Sequence, residues 1–565
     1  MPPKFSMELR EPTIFADTLK FQARTSPCEA ACPAGNPIQK MHSLLKEGRI
    51  EEAFEYLRAR NPFSGVTGRV CNHPCEMECN RQHYDEALSI RALERYVTDA
   101  ADMTRVRGPR RREGTGKKIA IIGSGPAGMT CAYFSSLFGH EVTVFEASAF
   151  LGGMPRIGIP DYRLPKDVVD REIGQILELG VTARTNTKVG RELSFEKILD
   201  DYDACLIATG AWKEKTLDVP GAELAIQGLS FLKEVNQGRR NGIGERVVIM
   251  GGGGVAYDCA FAARRLGATE IHIVCLEAKD HMCATPEDIS QGKEEGLTVH
   301  NARMLSKVMS DQARVTGVEI FEIQSCRFHE DGSATVQPAS DEKETISVDA
   351  VIFAVGVEPE LGFLEGKLKL TKGKTIDADP GTMGTAIEGV FAAGDAVKGP
   401  GTVAEAIGSG RDAAMAMDHY LMGRKADERT CVTIGESGVI DVKGCAPGPE
   451  PHVVRYEEML DVDYFDKNER RRTERMPSEQ STRSFMEIDR GLGHEAASAE
   501  VDRCFRCGHC QLCGKCVEHC PGYVLSMTDE GPRVAYADEC WHCGSCRINC
   551  PSSCIFYQFP ISTLV

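Results

Sequence analysis

The chain has 565 residues, 42% of them hydrophobic, and a formal net charge of −17 at pH 7. Its length exceeds what one hydrophobic core supports, so we expect several domains. The acidic balance argues against nucleic acid or an anionic membrane surface as partner. No apolar run approaches the roughly 20 residues of a membrane helix, and the N-terminal segment lacks the apolar stretch of a secretion signal. We therefore expect a cytoplasmic protein.

Residues 1–110 form the first expected unit, a helical domain. Apolar residues recur every three or four positions after Pro37, from Ile38 to Leu45 and from Ile50 to Leu57, with Gly48 between the two stretches. The unit also contains cysteines whose clustering in a cytoplasmic protein indicates iron–sulfur ligation rather than disulfides. They are Cys28, Cys32, Cys71, Cys75 and Cys79. The basic segment 105–118 has no apolar period and predicts a linker.

From residue 118 to 422, short β-branched strands alternate with helical patterns, which predicts parallel sheets covered by helices. The strand at 119–122 runs into a glycine motif of the kind that lets a pyrophosphate approach a helix N-terminus. Its residues are Gly123, Ser124, Gly125, Pro126, Ala127 and Gly128. Glu146 ends the following strand, where a carboxylate can accept hydrogen bonds from a ribose. A dinucleotide site is therefore expected here.

A second glycine motif follows the strand at 247–250, which predicts a second dinucleotide site. Its residues are Gly251, Gly252, Gly253, Gly254 and Val255. The next strand ends at Glu277, whose carboxylate favours ribose hydroxyls and repels a 2′-phosphate, so NADH is favoured over NADPH. Lys279 is the feature that argues the other way. Small residues at Ala354, Val355 and Gly356 predict another turn that closes on a cofactor.

Gly394 and Asp395 follow a buried strand, where a carboxylate can hold the ribityl hydroxyls of a flavin. These features together resemble flavoproteins with two nested dinucleotide-binding domains. The resemblance implies an FAD domain at 118–214 and 356–422 and an NAD(H) domain at 215–355. The segment 118–422 contains no C-x2-C pair, which argues against the thiol–disulfide exchange of some such flavoproteins.

A closer resemblance is to the small subunit of glutamate synthase and its relatives, including the flavin half of dihydropyrimidine dehydrogenase. It is carried by Gly152-Gly153-Met154 and by the segment 158–165. The resemblance implies further FAD contacts from Gly153, Met154, Arg163, Val189, Thr402 and Val403. NADP-using relatives have basic residues where this chain has Leu276, Glu277 and Cys283, which again favours NADH.

The N-terminal unit resembles the domain in which those relatives hold two iron–sulfur clusters. This chain lacks the upstream cysteines, so the resemblance implies one [4Fe–4S] cluster, with Cys28 and Cys79 as remnants of the other. The implied ligands are Cys32, Cys71, Cys75 and Glu94. An all-cysteine set drawn from the five is the alternative. Glu94 would then be a helix-surface carboxylate paired with Arg91 or Arg95.

Residues 423–500 are charged and irregular, and predict a surface connector with one exposed helix. The C-terminal unit, 501–565, contains the run C-x2-C-x2-C-x3-C-P twice, which resembles bacterial two-cluster ferredoxins. In that family the fourth cysteine of each run ligates the other cluster. The implied sets are Cys510, Cys513, Cys516 and Cys550, and Cys540, Cys543, Cys546 and Cys520. Zinc is the alternative, though eight cysteines in this spacing suit a four-ligand site poorly. Cys504, Cys507 and Cys554 have no assigned role.

The expected fold is therefore α/β, with two nested Rossmann-like domains, a helical N-terminal iron–sulfur domain and a C-terminal 2[4Fe–4S] ferredoxin domain. The expected function is electron exchange between NADH and a redox partner protein, or a catalytic subunit of a larger complex, through FAD and three clusters. Similar proteins serve dissimilatory sulfite reductases and 2-oxoacid or phenylglyoxylate oxidoreductases of anaerobes. One alternative is the small subunit of an NADPH-dependent glutamate synthase. The other is an electron-carrying scaffold in which one nucleotide site is vestigial.

Overall fold

The computed structural model describes residues 24–555 apart from 313, 330–333, 425–428, 435–439, 446–450 and 537–538. The N-terminal unit is helical, as expected, and its two amphipathic stretches form the helices Ile38–Lys46 and Ile50–Arg58. Their apolar faces pack into one buried core with Leu93 and Val97. The remaining helices of the unit are Pro27–Ala30, Ser64–Val70, Pro74–Met77 and Ile90–Ala100.

The first α/β domain is built on a five-stranded parallel sheet. In spatial order its strands are Val390–Ala392, Ala204–Ile207, Lys118–Ile122, Glu141–Phe145 and Thr182–Arg184. The central strands are β-branched and buried, as continuous apolar runs in a parallel sheet require. The covering helices are Pro126–Leu137, Gly153–Ile157, Lys166–Leu177, Phe195–Asp201, Asp395–Lys398 and Val403–Leu421.

The second α/β domain is inserted into the first. The chain crosses between them where Lys213–Glu214 pairs with Val357–Glu358. Its parallel sheet has the order Thr298–His300, Glu270–Val274, Arg246–Met250, Ala350–Phe353 and Ile226–Gln227. Its helices are Gly228–Asn236, Gly254–Arg265 and Pro286–Glu294, and an antiparallel sheet adds Arg303–Asp311, Arg314–Phe328 and Ala334–Ile346. A nested arrangement is what the resemblance to flavoproteins implies, and the assignment of one cofactor to each domain stays a prediction.

The segment expected to be a surface connector is instead packed against the rest of the molecule. Met476 and Ile488 are buried in the core of the inserted domain. The helix His494–Asp502 buries Ala497 and Val501 against the N-terminal unit, so the expectation of an exposed helix is wrong. The other elements are Arg429–Ile434, Ile440–Cys445, His452–Val453 and Ser478–Ser481.

The C-terminal unit has a short helix after each cysteine-rich loop, Lys515–Glu518 and Ser545–Ile548. The hairpin Leu525–Thr528 and Gly531–Val534 lies between them. Across the described parts of the chain, we find no helix with the length and apolar character needed to cross a bilayer.

Candidate redox-cofactor sites

The first glycine motif forms a tight turn that only glycine accommodates. Gly123 has φ of +103°, and a Cβ there would lie 2.4 Å from the carbonyl oxygen of Ala208. A Cβ on Gly128 would lie 2.0 Å from the carbonyl oxygen of Gly123, so the helix packs directly onto the turn. The helix Pro126–Leu137 begins there with Gly125 as N-cap. Its free N–H groups are thus available to a phosphate.

A cavity of about 340 Å³ opens at this turn. Ten of the residues expected to bind FAD line it: Gly123, Gly125, Pro126, Ala127, Glu146, Gly153, Met154, Val189, Gly394 and Asp395. Glu146 is held in place by hydrogen bonds to its carboxylate from the backbone N–H and hydroxyl of Ser124, at 3.0 and 2.6 Å, and from the N–H of Ser148 at 2.7 Å. The carboxylate is therefore oriented before any ligand arrives.

Asp395 also lines this cavity. Burial raises the pKa of Asp395 to about 6, against a hydrogen bond from the backbone N–H of Gly401 that lowers it. Thr402 caps the helix Val403–Leu421 in a capping box with Glu405. Thr402 and Val403 thus lie at the start of this helix, and Ala406, one turn on, lines the cavity.

The second glycine motif repeats this geometry in the inserted domain. Gly251 has φ of +131°, and a Cβ there would lie 2.3 Å from the carbonyl oxygen of Ala354. Gly253 caps the helix Gly254–Arg265, and Val255 in its first turn is half exposed. A Cβ on Gly252 would lie 2.6 Å from Glu277 Oε2. The carboxylate of Glu277 therefore stands directly at the motif, and Val355 and Gly356 continue from the neighbouring strand.

In the N-terminal unit, one expected ligand is a buried carboxylate whose charge acts on two of the expected cysteine ligands. Glu94 is 6% exposed and accepts hydrogen bonds from Thr67 Oγ1 at 2.5 Å and Asn61 Nδ2 at 3.2 Å. Burial raises the pKa of Glu94 to about 7. Burial also raises the pKa of Cys71 to about 12, with the charge of Glu94 adding to the effect. The same two causes raise the pKa of Cys32.

The burial of Glu94 bears on the choice of ligands in the N-terminal unit. Because Glu94 is buried, it is not a helix-surface carboxylate. Arg95 pairs instead with Asp99, Glu487 and Asp489. Burial raises the pKa of Cys75, and the charges of Glu76, Cys32, Cys28 and Cys71 add to the effect.

The C-terminal cysteines surround two cavities. Cys510, Cys513 and Cys516 of the first run line one cavity together with Cys550 of the second run. Cys540, Cys543 and Cys546 line the other together with Cys520 of the first run. The structure thus brings together the two crossed sets that the spacing implies. Across the described ranges, no three His, Cys, Asp or Glu side chains lie close enough together to hold a single metal ion.

Cys554 also lines the first of these cavities, with its Sγ 3.4 Å from that of Cys550. Hydrogen bonding from Cys554 lowers the pKa of both Cys510 and Cys550 to about 6. Hydrogen bonding with Cys554 therefore favours the thiolate form of Cys510 and Cys550.

Comparison with known proteins places the chain in a family. Residues 117–410 match the model of the pyridine nucleotide-disulphide oxidoreductases, and residues 20–106 match dihydropyrimidine dehydrogenase domain II, 4Fe-4S cluster. The chain is a member of the pyridine nucleotide-disulphide oxidoreductase family, in the branch that includes the glutamate synthase small chain.

Three relatives illustrate this branch of the oxidoreductase family. The chain is 34% identical to NADP(+)-dependent formate dehydrogenase subunit beta of Moorella thermoacetica, over 86% of this chain and 70% of that protein. It is 31% identical to NADPH-Fe(3+) oxidoreductase subunit beta of Geobacter sulfurreducens, over 86% and 75%. It is 33% identical to the glutamate synthase [NADPH] small chain of Azospirillum brasilense, over 70% and 86%. The matched relatives are thus oxidoreductases named as subunits.

One residue expected to touch FAD lies elsewhere in this oxidoreductase. The guanidinium of Arg163 pairs with Asp258 at 2.7 Å and with Asp288 at 3.1 Å, both in the inserted domain. Arg163 is outside the cavity lining and joins the two domains, and its expected contact with FAD stays a prediction. Two buried carboxylates attract the guanidinium more strongly than a neutral ring system does.

Several cavity residues carried no signal in the sequence. Trp212, Lys233, Glu360 and Phe363 line the cavity but belong to no motif. They come from three separate segments that only the tertiary fold brings together, with Glu360 and Phe363 in the same one. Only Trp212 had a nearby sequence feature that could have indicated its place in the cavity. It lies two residues after Ala208-Thr209-Gly210, a run of small residues at the end of a strand.

Proposed function

We propose that this chain is an iron–sulfur flavoprotein that exchanges electrons between NAD(H) and a one-electron partner. FAD would be held in the 340 Å³ cavity, with Glu146 at the adenosine ribose and Asp395 at the ribityl chain. When bound, FAD supplies two-electron exchange with a nicotinamide and one-electron exchange with iron–sulfur clusters. The protein's own contribution is to position these groups and to tune their electrostatics.

The observation that carries the proposal is the close packing between the cavity and the N-terminal cysteines. Ala406 lines the cavity, and a Cβ on Gly408, two residues further along the same helix, would lie 2.2 Å from the carbonyl oxygen of Pro33. Pro33 directly follows Cys32. Arg411 of this helix also donates a hydrogen bond to the carbonyl oxygen of Ala34. One helix therefore joins the flavin cavity to the first expected cluster.

The proposed clusters are three, held by the sets described above. The N-terminal set is Cys32, Cys71, Cys75 and Glu94, and each C-terminal set has four cysteines around one cavity. Their spacing in two crossed sets fits [4Fe–4S] clusters. Electrons would leave at the set of Cys540, Cys543, Cys546 and Cys520. Next to that set Tyr523 and Trp541 are strongly exposed, at 78% and 68%, which fits docking of a redox partner or a larger complex.

For the nicotinamide nucleotide we propose NADH. The support is Glu277, whose carboxylate stands at the second glycine motif and would repel a 2′-phosphate. The relatives described above carry NADP or NADPH in their names, so the choice depends on this one side chain and its neighbours.

The test is anaerobic rapid mixing of the full chain with NADH or NADPH. NADH is expected to bleach the flavin absorbance, followed by bleaching of the cluster absorbance, and NADPH to do so more slowly. No flavin bleaching with either nucleotide would reject the proposal and favour an electron-carrying scaffold.

A second candidate is the small subunit of a glutamate synthase, favoured by the similarity to the small chain of Azospirillum brasilense. It predicts faster bleaching by NADPH and a stable complex with a glutamine-dependent subunit. The C-terminal cysteine sets, with no counterpart required by that activity, argue against it.

A further inference from the structure

Among the buried cysteines outside the three proposed cluster sets, four come from the cysteine-rich N-terminal and C-terminal parts of the chain. Cys28 and Cys79 belong to the N-terminal unit, while Cys504 and Cys507 precede the C-terminal cysteine runs. Their exposed fractions are 6%, 8%, 9% and 6%. Four buried thiols in one region require an explanation beyond ordinary core packing.

Side-chain contacts bring these thiols into one group. The amide of Gln39 donates to Cys28 Sγ at 3.5 Å, and its oxygen accepts from Cys504 Sγ at 3.8 Å. Asn80, which directly follows Cys79, donates to Cys507 Sγ at 3.3 Å. The side chain of Gln39 thus links Cys28 to Cys504, and Cys507 contacts Asn80, the residue next to Cys79.

Packing in the core agrees with these contacts. Cys28, Cys79 and Cys504 belong to one buried cluster of side chains in the N-terminal unit, and Cys507 is buried three residues beyond Cys504. Thiolates buried in this way are costly unless a cationic centre is bound among them.

We propose that Cys28, Cys79, Cys504 and Cys507 together hold a fourth [4Fe–4S] cluster, which joins the N-terminal unit to the C-terminal ferredoxin-like unit. Each thiol gives up its proton to solvent and binds one iron. The inference deepens the proposed function, because it adds a link to the same electron path. Cys28 and Cys79 are then ligands and not remnants of a lost site.

The surroundings of the four sulfurs suit a cluster. Ser26 Oγ lies within hydrogen-bonding distance of Cys28 Sγ, at 3.1 Å, and the backbone N–H of Arg506 donates to Cys504 Sγ at 3.4 Å. His42 Nδ1 lies 3.3 Å from Cys504 Sγ. Arg81 is 1% exposed and lies over the ring of Phe505, between two of the proposed ligands. Donors to sulfur and a nearby cation stabilise and tune a negatively charged cluster site.

The proposed site also fits the path of the electrons. Cys28 and Cys75 pack in the same buried core, so this site adjoins the N-terminal set. At the other side, Cys507 is three residues before Cys510, and Gly508 N–H donates to the carbonyl oxygen of Ser552 at 2.7 Å. The fourth cluster would therefore lie between the N-terminal set and the first C-terminal set.

The first test is a count of iron and acid-labile sulfide in the full chain purified without oxygen. Four clusters give about 16 of each per FAD, while three give about 12. The double variant C504A/C507A is expected to lose about four irons and four sulfides and to keep its FAD. The matched control is C326S, a cysteine on a strand of the inserted domain, which should lose none.

A crystal of the holoprotein measured at the iron absorption edge tests the site without any variant. An anomalous peak among the four sulfurs supports the proposal. About 12 irons with no such peak, one zinc at this site, or a disulfide among these cysteines would overturn it. The result is separate from that of the nucleotide test, because a chain with 16 irons whose flavin NADH does not bleach would reject only the proposed function.

Discussion

Asp395 is a single carboxylate whose ionisation should govern flavin binding. Its raised pKa, about 6 because of burial, means that it is protonated just below neutral pH. The ionised form accepts stronger hydrogen bonds from hydroxyls, so FAD affinity should fall as the pH drops through about 6. The expected loss is about 1 kcal/mol, or roughly five-fold.

The dissociation constant of FAD, measured with the flavin-free protein by fluorescence between about pH 5 and about pH 8, checks this prediction. The variant Asp395→Asn should bind FAD with an affinity that no longer changes through this range. A wild-type affinity independent of pH would show that Asp395 does not contact the ribityl chain.

Glu277 is the residue on which nucleotide choice depends. Replacing it with arginine removes the repulsion of a 2′-phosphate and adds an attractive partner. We expect Glu277→Arg to shift the ratio of kcat/KM for NADH over NADPH towards NADPH by about 100-fold, which corresponds to roughly 2.7 kcal/mol.

The control for this change is Glu294→Arg, on an exposed position of the helix Pro286–Glu294 in the same domain. It alters the net charge equally without approaching the glycine motif. An equal shift in both variants would assign the effect to overall charge and contradict a specific role for Glu277.

At the scale of elements, a carboxylate from one domain caps a helix of another. Glu172, on the helix Lys166–Leu177, accepts hydrogen bonds from the backbone N–H groups of Gly65 at 2.5 Å and Val66 at 3.2 Å. Those groups begin the helix Ser64–Val70, which leads to Cys71. Glu172→Ala would leave two buried donors unsatisfied and should lower the free energy of unfolding by about 2 to 4 kcal/mol.

Chemical denaturation followed by circular dichroism measures this effect. Glu172→Gln keeps an acceptor oxygen and should lose much less, since the amide can still bond to at least one N–H group. Equal losses in the two variants would mean that packing, and not the hydrogen bonds, holds this interface.

The elements that the sequence could reveal are those with local signals. Buried β-branched strands followed by glycine turns predicted both parallel sheets, because the turn and the strand are adjacent in the chain. The crossed cysteine sets followed from the resemblance of their spacing to that of two-cluster ferredoxins. The packing of Met476 and Ile488 into the inserted domain had no such signal, because the other buried side chains of that core belong to residues between Tyr162 and Ile352. The grouping of Cys504 with Cys28 was invisible for the same reason.

At the scale of the whole molecule, the first described residues of the N-terminal unit contact the C-terminal unit. Arg24 donates to the carbonyl oxygen of Ser553 at 2.7 Å, and Glu29 lies 3.0 Å from His509 Nε2. Buried Glu500 accepts from the backbone N–H groups of Ser89 and Arg471. The C-terminal unit is thus fixed to the N-terminal unit. In the proposed function, electrons pass from the nucleotide motifs through the N-terminal unit to the exposed cysteine set.

Under the proposed function, the set of Cys520, Cys540, Cys543 and Cys546 is the exit for electrons. Cys543 is exposed, and its replacement by serine should impair the outermost cluster alone. In Cys543→Ser we expect flavin bleaching by NADH at the wild-type rate, because the nucleotide and flavin sites lie at the other end of the path. Reduction of an external ferredoxin should fall by at least about ten-fold, since electron transfer loses its last step.

Rapid mixing for the flavin and steady-state assays for the ferredoxin separate these two effects, with C326S as the control that retains every proposed ligand. Iron content should fall by about four per chain in Cys543→Ser if the cluster is lost outright. If the variant loses those irons but still reduces ferredoxin at the wild-type rate, electrons leave from another site. The set of Cys510, Cys513, Cys516 and Cys550 would then be the first candidate. Slower flavin bleaching would instead show that the outermost set affects the folding of the whole chain.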